Sequence, residues 1–151
     1  MIKFIKEWVG YGNKKKDIIF SFTCNYIAFN CLYGKFTRKR NGYKNELNQI
    51  YNMLDKELYL LQRKEFSPYK LLNSESEMIK NPVSEMRYNT KVDKQKLEKQ
   101  DVFELFRSIY FIRCNLFHGD KEVYNERDKK LILEANNVLK YFLEEYLKIK
   151  S

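Results

Sequence analysis

The chain has 151 residues, of which 44% are hydrophobic and 16% aromatic, and its formal net charge is +9. This length suits one domain with a buried core, and the charge favours an anionic partner such as nucleic acid, an acidic protein or a lipid surface. No stretch is apolar enough to span a membrane and no signal-peptide pattern is present, so we expect a cytoplasmic protein without a membrane partner.

The first predicted element is a short opening segment that ends near Gly10 and Gly12. After it, apolar and aromatic residues recur every three or four positions and predict a long helix over about 15–35. Asn30 stands in this otherwise apolar helix, where it is interpreted either as a buried polar anchor or as a site residue.

A basic link follows the first long helix and carries Arg38, Lys39 and Arg40. These cations are candidates for contact with RNA phosphates, although a solvated surface is the commoner explanation of such a run. Leucines and an isoleucine at helical spacing then predict a second long helix over about 45–64.

The chain changes character over 65–100, where the apolar content falls and turn-forming pairs such as Ser67-Pro68 and Asn81-Pro82 occur. This segment is predicted as an irregular excursion, that is, a long loop or insertion between the second and third long helices. Both an ordered excursion and a partly mobile insertion are compatible with the sequence.

Two further helices are predicted, one over about 101–117 and one beginning near Asn125, which is a candidate N-cap. Arg113 occupies a position on the third helix that periodicity would give to an apolar residue. Four long helices and no convincing strand predict an all-α, up-and-down bundle that forms a single domain over 1–151.

The cysteines Cys24, Cys31 and Cys114 show no spacing typical of a disulfide framework or a zinc site. We interpret them as reduced thiols of an intracellular protein. Since the chain has a single histidine and no HExxH or CxxC motif, no transition-metal site is expected.

That histidine, His118, stands five positions after Arg113. Imidazole both accepts and donates a proton near neutral pH, and guanidinium matches the geometry of phosphate oxygens, so the pair suggests phosphodiester chemistry. In an ideal helix the two side chains would point about 140° apart. A structural interpretation stands beside this one: Arg113 pairs with a carboxylate and His118 satisfies carbonyls at the helix end, before Gly119.

The stretch over 112–120, Ile-Arg-Cys-Asn-Leu-Phe-His-Gly-Asp, resembles the motif of HEPN (higher eukaryotes and prokaryotes nucleotide-binding) domains, whose ribonuclease members carry R-x(4–6)-H in a helical bundle. The segment over 26–33, Tyr-Ile-Ala-Phe-Asn-Cys-Leu-Tyr, is similar to the first helix of bacterial HEPN domains, and Arg127-Asp128 is similar to the start of their last helix. The resemblance covers the four helices and leaves 65–100 unaccounted for.

The resemblance implies a homodimer in which two motif helices meet and build one composite site. It implies metal-independent cleavage of RNA without a cofactor, with His118 as general base on a ribose 2′-hydroxyl or as general acid toward the leaving oxygen. Arg113 would stabilise charge that develops on the phosphate, and Asn115 completes the expected catalytic set. The expected RNA contacts are Lys121, Arg38, Lys39 and Arg40.

The resemblance also implies a bacterial toxin or defence protein, for which an antitoxin or other partner protein is a further expectation. Cys114 stands where active members often carry Asn, Asp or His directly after the motif arginine. This departure favours an alternative, a catalytically inactive HEPN module that binds RNA, nucleotide or a partner protein. A purely structural helical dimerisation unit is the third hypothesis.

Overall fold

The structure is a computed structural model. The residues that it describes are 1–36, 42–62, 66–85, 89–117 and 125–150. Most of them are helical, which confirms the all-α class, and the described strands are two residues long each. The elements in chain order are α1 (Ile2–Lys14), α2 (Ile18–Tyr33), α3 (Gly42–Gln62), α4 (Glu77–Lys80), β1 (Ser84–Glu85), β2 (Thr90–Lys91), α5 (Lys94–Glu98), α6 (Val102–Phe117) and α7 (Glu126–Lys150).

The opening segment differs from its prediction, because α1 continues through both glycines to Lys14. Gly12 is buried where α1 contacts α2, and a Cβ at this position would lie 3.2 Å from both the Ser21 carbonyl oxygen and Asn25 Oδ1. The missing side chain therefore permits the close approach of the two helices. Glycine costs about 1 kcal/mol relative to alanine inside a helix, and here it serves helix packing rather than helix termination.

The helix α2 begins three residues later than predicted because Asp17 caps it. The Asp17 carboxylate accepts hydrogen bonds from the backbone N–H groups of Ile19 at 2.8 Å and Phe20 at 3.3 Å. These groups have no partner inside the helix, and an aspartate N-cap satisfies them. The other three long helices start and end within about three residues of their predicted bounds where described.

Contacts divide the chain into two compact units, of which the first comprises Met1–Ser67 and Leu139–Ser151. In this unit α1 packs on α2, and α2 packs on α3. Its core is rich in aromatic rings: the ring centroid of Phe29 lies 5.1 Å from that of Tyr33 and 5.9 Å from that of Phe142. Asn30 is exposed, so the interpretation of this residue as a buried polar anchor is wrong.

The second unit, Pro68–Val138, contains α4, the hairpin of β1 and β2, α5, α6 and the first half of α7. The hairpin is antiparallel, with Ser84 opposite Lys91. The segment expected to be an irregular loop or insertion therefore holds two short helices and a hairpin, and it buries apolar side chains of its own. The most deeply buried of these are Met78, Val92 and Leu97.

The short helix α4 is held by two side chains of α7. The Glu134 carboxylate accepts hydrogen bonds from the backbone N–H groups of Glu77 at 3.0 Å and Met78 at 2.9 Å. Arg127 donates to the Glu77 carboxylate and to the Asn81 carbonyl oxygen, each at 3.0 Å. Both ends of α4 are thus satisfied by residues about fifty positions away in the sequence.

A buried carboxylate on α6 plays the same part for α5. Glu104 is 4% exposed, and it accepts hydrogen bonds from the Asp93 backbone N–H at 2.8 Å and from the Arg107 guanidinium at 3.0 Å. Asp93 is itself the N-cap of α5. The excursion between the long helices is therefore attached to α6 and α7 through two carboxylates that cap backbone N–H groups.

We predict that Glu134→Ala lowers the free energy of unfolding by about 1–2 kcal/mol, because two N–H groups at the start of α4 lose a charged acceptor. Chemical denaturation measures this change. Glu144→Ala is the matched control, since Glu144 lies on the same helix and makes a solvent-exposed ion pair with Lys140 at 3.9 Å, which contributes about 0.5 kcal/mol or less. Equal losses in the two variants would contradict the capping role.

We also predict that stability depends on the ionisation of Glu77. The pKa of Glu77 lies below its ordinary value of 4.5, first because Asn81 donates a hydrogen bond to the carboxylate and then because Arg127 lies beside it. A lowered pKa contributes stability that is present above the unfolded value and is lost as the pH falls through the folded value. The stability difference between wild type and Glu77→Gln should therefore be constant at neutral pH and shrink below about pH 4.5.

Denaturation series over a range of pH values test this prediction. Glu75→Gln serves as control, because its side chain is 83% exposed and lies 3.9 Å from Lys80. This control should differ little from wild type at any pH. A difference for Glu77→Gln that persists unchanged in acid would contradict the role of the charged carboxylate.

Candidate active site

Two of the seven predicted site residues, Arg113 and Asn115, fall among the residues that the structure describes, and both lie near the end of α6. The predictions for the others lie outside the described residues: Arg38, Lys39, Arg40, His118 and Lys121. The geometry of the candidate site is therefore the geometry of the last turns of α6 and of what packs around them.

Arg113 is half-buried, and its guanidinium carbon lies 5.4 Å from the centroid of the Phe117 ring. The two residues are four positions apart and so share one side of the helix. A guanidinium over an aromatic face gains a cation–π attraction of about 0.5–1 kcal/mol at such a site. This contact fixes the direction of Arg113 toward the end of α6, where His118 follows Phe117 in the sequence.

The Cys114 thiol, next to Arg113 in the sequence, is influenced by charges of both signs. The thiol is fully buried, and burial raises its pKa. Hydrogen bonds from Tyr110 and Arg113 lower this pKa, and the negative charge of Glu85 raises it. Arg113 and the fully buried Glu85 therefore both act on the same thiol. This neighbourhood is compatible with a structural part for Arg113 as well as a catalytic one.

Asn115 lies on a different side of α6. Its Nδ2 donates a hydrogen bond to the Ser84 carbonyl oxygen at 2.7 Å and so ties β1 to the helix. Two positions along a helix correspond to a rotation of about 200°, so Asn115 and Arg113 face away from each other within one chain. The structure does not bring these two predicted catalytic residues together.

Asn115 instead lines a cleft of about 720 Å³ in the Pro68–Val138 unit. The cleft lies between the excursion, α6 and the start of α7. Its floor is apolar, formed by Pro82, Val83, Ile112, Leu116, Leu131 and Ile132. Its polar lining consists of Lys80, Asn81, Ser84, Lys91, Lys94, Asn115, Arg127 and Asp128.

Among the described residues, four cationic side chains and one carboxylate line this cleft, so its charge is strongly one-sided. Arg127 is partly neutralised by Glu77. Lys80 and Lys94 face carboxylates at 3.9 and 4.0 Å, with every side chain more than half exposed. In such exposed ion pairs the attraction is weak, so another anion can readily replace the carboxylate.

The sequence did not single out any of these four cations as site residues. Arg127 lies in a segment similar to the start of the last HEPN helix, whereas Lys80, Lys91 and Lys94 lie in the excursion, in no recognisable motif. The signal that could have found them is the lysine content of a segment rich in turn residues. The lysine content becomes informative only once the fold is known, because the fold brings side chains from α4, β2 and α5 to one cleft.

Comparisons with known proteins give no relatives: no family model, no curated protein and no solved structure matches the chain.

Among the described residues, no helix has the length and apolar character needed to cross a membrane. The same part of the chain holds no group of three or more histidine, cysteine, aspartate or glutamate side chains placed to bind a metal ion.

We predict that the cysteines differ sharply in reactivity. Cys114 is fully buried with a raised pKa, so its thiol stays protonated and shielded at neutral pH, whereas Cys31 is partly exposed. Because the thiolate is the reactive form, iodoacetamide should modify Cys31 in the native protein and Cys114 only after unfolding. Mass spectrometry of labelled peptides measures both rates; equal labelling of the two thiols in the native state would contradict the burial of Cys114.

Proposed function

We propose that this protein is a metal-independent endoribonuclease of HEPN type, acting as a homodimer in a bacterial toxin or defence system. In this proposal α2, α3, α6 and α7 are the four helices of an up-and-down HEPN bundle. The observation that carries the proposal is the guanidinium of Arg113, held over the Phe117 ring at the end of α6. The one imidazole of the chain, His118, comes next in the sequence.

A second copy of the chain resolves the geometric difficulty of the motif. Arg113 and Asn115 face away from each other on α6, so one chain does not aim both at the same phosphate. Phe117 is 51% exposed beside Arg113, and a partner's motif helix would cover this ring. Two motif helices that meet there would surround one phosphate with groups from both chains.

The reaction proceeds by attack of the 2′-hydroxyl within the RNA. His118 accepts the hydroxyl proton, the 2′-oxygen forms a bond to phosphorus, and the 5′-oxygen leaves and takes up a proton from a general acid, for which the imidazole of the second copy is suited. Arg113 stabilises the charge that develops on the phosphate oxygens. The products are a 2′,3′-cyclic phosphate and a 5′-hydroxyl, and DNA is not cleaved because it lacks the 2′-hydroxyl.

The second candidate function is an inactive HEPN module that binds RNA, nucleotide or a partner protein. Cys114 favours it, because the residue directly after Arg113 is here a buried, protonated thiol rather than an exposed polar group. In this case the cationic surface would bind its ligand without cleavage. Asn115 would then serve to hold β1 on α6 through Ser84.

We predict that purified protein cleaves single-stranded RNA in the presence of EDTA and that His118→Ala lowers the rate about 10²–10⁴-fold, as expected for loss of a general acid–base group. Arg113→Ala should lower it comparably through loss of phosphate stabilisation. Gel analysis with end labels that distinguish cyclic phosphates measures both. Lys70→Ala is the matched surface control, since Lys70 is exposed and does not line the cleft.

Equal cleavage by wild type and His118→Ala would overturn the nuclease proposal, and binding without cleavage by any of the proteins would select the inactive module. The composite site has its own test. An excess of His118→Ala protein, mixed with wild type, traps wild-type chains in mixed dimers. Activity per wild-type chain should then fall, and an unchanged activity would show that one chain suffices.

A further inference from the structure

We infer that the cleft of the Pro68–Val138 unit holds the RNA strand, with Lys80, Lys91 and Lys94 in contact with its phosphates and the apolar floor in contact with a base. This inference rests on the proposed function for the identity of the ligand. The residues that it assigns lie in the excursion over 65–100, for which the HEPN resemblance offers no counterpart. They define a substrate-binding surface particular to this chain.

The three lysines are suited to bind phosphates because the carboxylates that the structure describes neutralise them poorly. Lys91 has no carboxylate within ion-pair distance among the described residues, and the ion pairs of Lys80 and Lys94 are long and exposed. An approaching phosphate can therefore replace the weak carboxylate contacts. Each such contact releases counterions from the RNA, which makes binding favourable and dependent on salt.

The shape of the cleft favours a single strand over a duplex. Its volume of about 720 Å³ lies within the range of roughly 300–1,000 Å³ typical of small-molecule sites. The cleft can therefore hold one nucleotide of a single strand, whereas a duplex is too large to enter it. Ile112, Leu116 and Leu131 provide an apolar surface for a base. An unstacked base is accessible in single-stranded RNA, whose bases splay out and whose edges hydrogen-bond to side chains.

Polar groups beside the floor can read that base or its ribose. Asn81, Ser84 and Asp128 line the cleft with amide, hydroxyl and carboxylate groups. A carboxylate repels phosphate, so we place the phosphates toward the lysines and the base or sugar hydroxyls toward Asp128. The strand then runs along α6 past Asn115, on the helix that ends at the catalytic motif.

The test compares two triple variants that remove the same charge from the same unit. Lys80→Gln/Lys91→Gln/Lys94→Gln empties the cleft of its lysines, whereas Lys96→Gln/Lys99→Gln/Lys130→Gln removes three exposed lysines that do not line it. The probe is a short fluorescein-labelled single-stranded RNA, and anisotropy gives its Kd at several salt concentrations. Circular dichroism and denaturation verify that both variants fold.

The cleft variant should bind the RNA about tenfold or more weakly. The slope of log Kd against the logarithm of the salt concentration should also fall by about 2, because three phosphate contacts are lost. The control variant should stay within about threefold of wild type, through its general charge alone. Equal weakening of both variants would overturn the inference, and so would unchanged binding by the cleft variant. Adenosine monophosphate is a competitor; if it binds this cleft as tightly as the RNA does, the site is one for free nucleotides and the strand proposal fails.

The failure of this inference and that of the proposed function are distinguishable. Cleavage by the cleft variant with an unchanged KM would overturn the inference and leave the nuclease standing. Lysine-dependent RNA binding by a wild-type protein that does not cleave would support the inference and overturn the nuclease.

Discussion

The way in which α6 distributes its side chains around its axis is the constraint on which the rest of this molecule depends. Successive residues are rotated by about 100°, so Arg113 and Phe117 lie on one side while Ile112, Asn115 and Leu116 turn toward the cleft. One helix thus presents a fixed guanidinium and, separately, a wall of a basic cleft. A reaction that uses both the guanidinium and the cleft requires a ligand that passes around the end of this helix, or a second copy of the chain.

The long helices could be predicted from the sequence because their apolar residues recur at helical spacing over many turns. Two bounds differ from their predictions for local reasons. The Asp17 carboxylate starts α2, and Gly12, which has no side chain, allows α1 to pass close to α2 without ending there. The half-buried state of Arg113 also agrees with its place on an apolar stripe. Periodicity reports which face is buried, but it says nothing of which partner covers that face.

The excursion over 65–100 could not be predicted, because its structure depends on partners that are distant in the sequence. Helices as short as α4 and α5 do not form on propensity alone, and α4 is held by Glu134 and Arg127 of a distant helix. The cleft inherits this dependence, because its lysines meet only after α4, the hairpin and α5 are attached to α6 and α7. A site made of residues that share no motif is invisible until the long-range hydrogen bonds that assemble it are known.

Those hydrogen bonds also engage two carboxylates of the Pro68–Val138 unit that do not line the cleft. Glu134 accepts from two backbone N–H groups, and Glu104 accepts from the Asp93 N–H as well as from Arg107. A carboxylate engaged with backbone N–H groups is directed inward and screens few lysines on the surface. Glu134 and Glu104 therefore do not line the cleft, and Asp128 is the one carboxylate among its described lining residues. The carboxylates of Glu75 and Glu98 face two of its lysines only at 3.9 and 4.0 Å. Different charges thus serve the two tasks in this unit. The carboxylates of Glu134 and Glu104 hold the short helices in place, and the exposed lysines of the cleft are the groups that we propose bind phosphate.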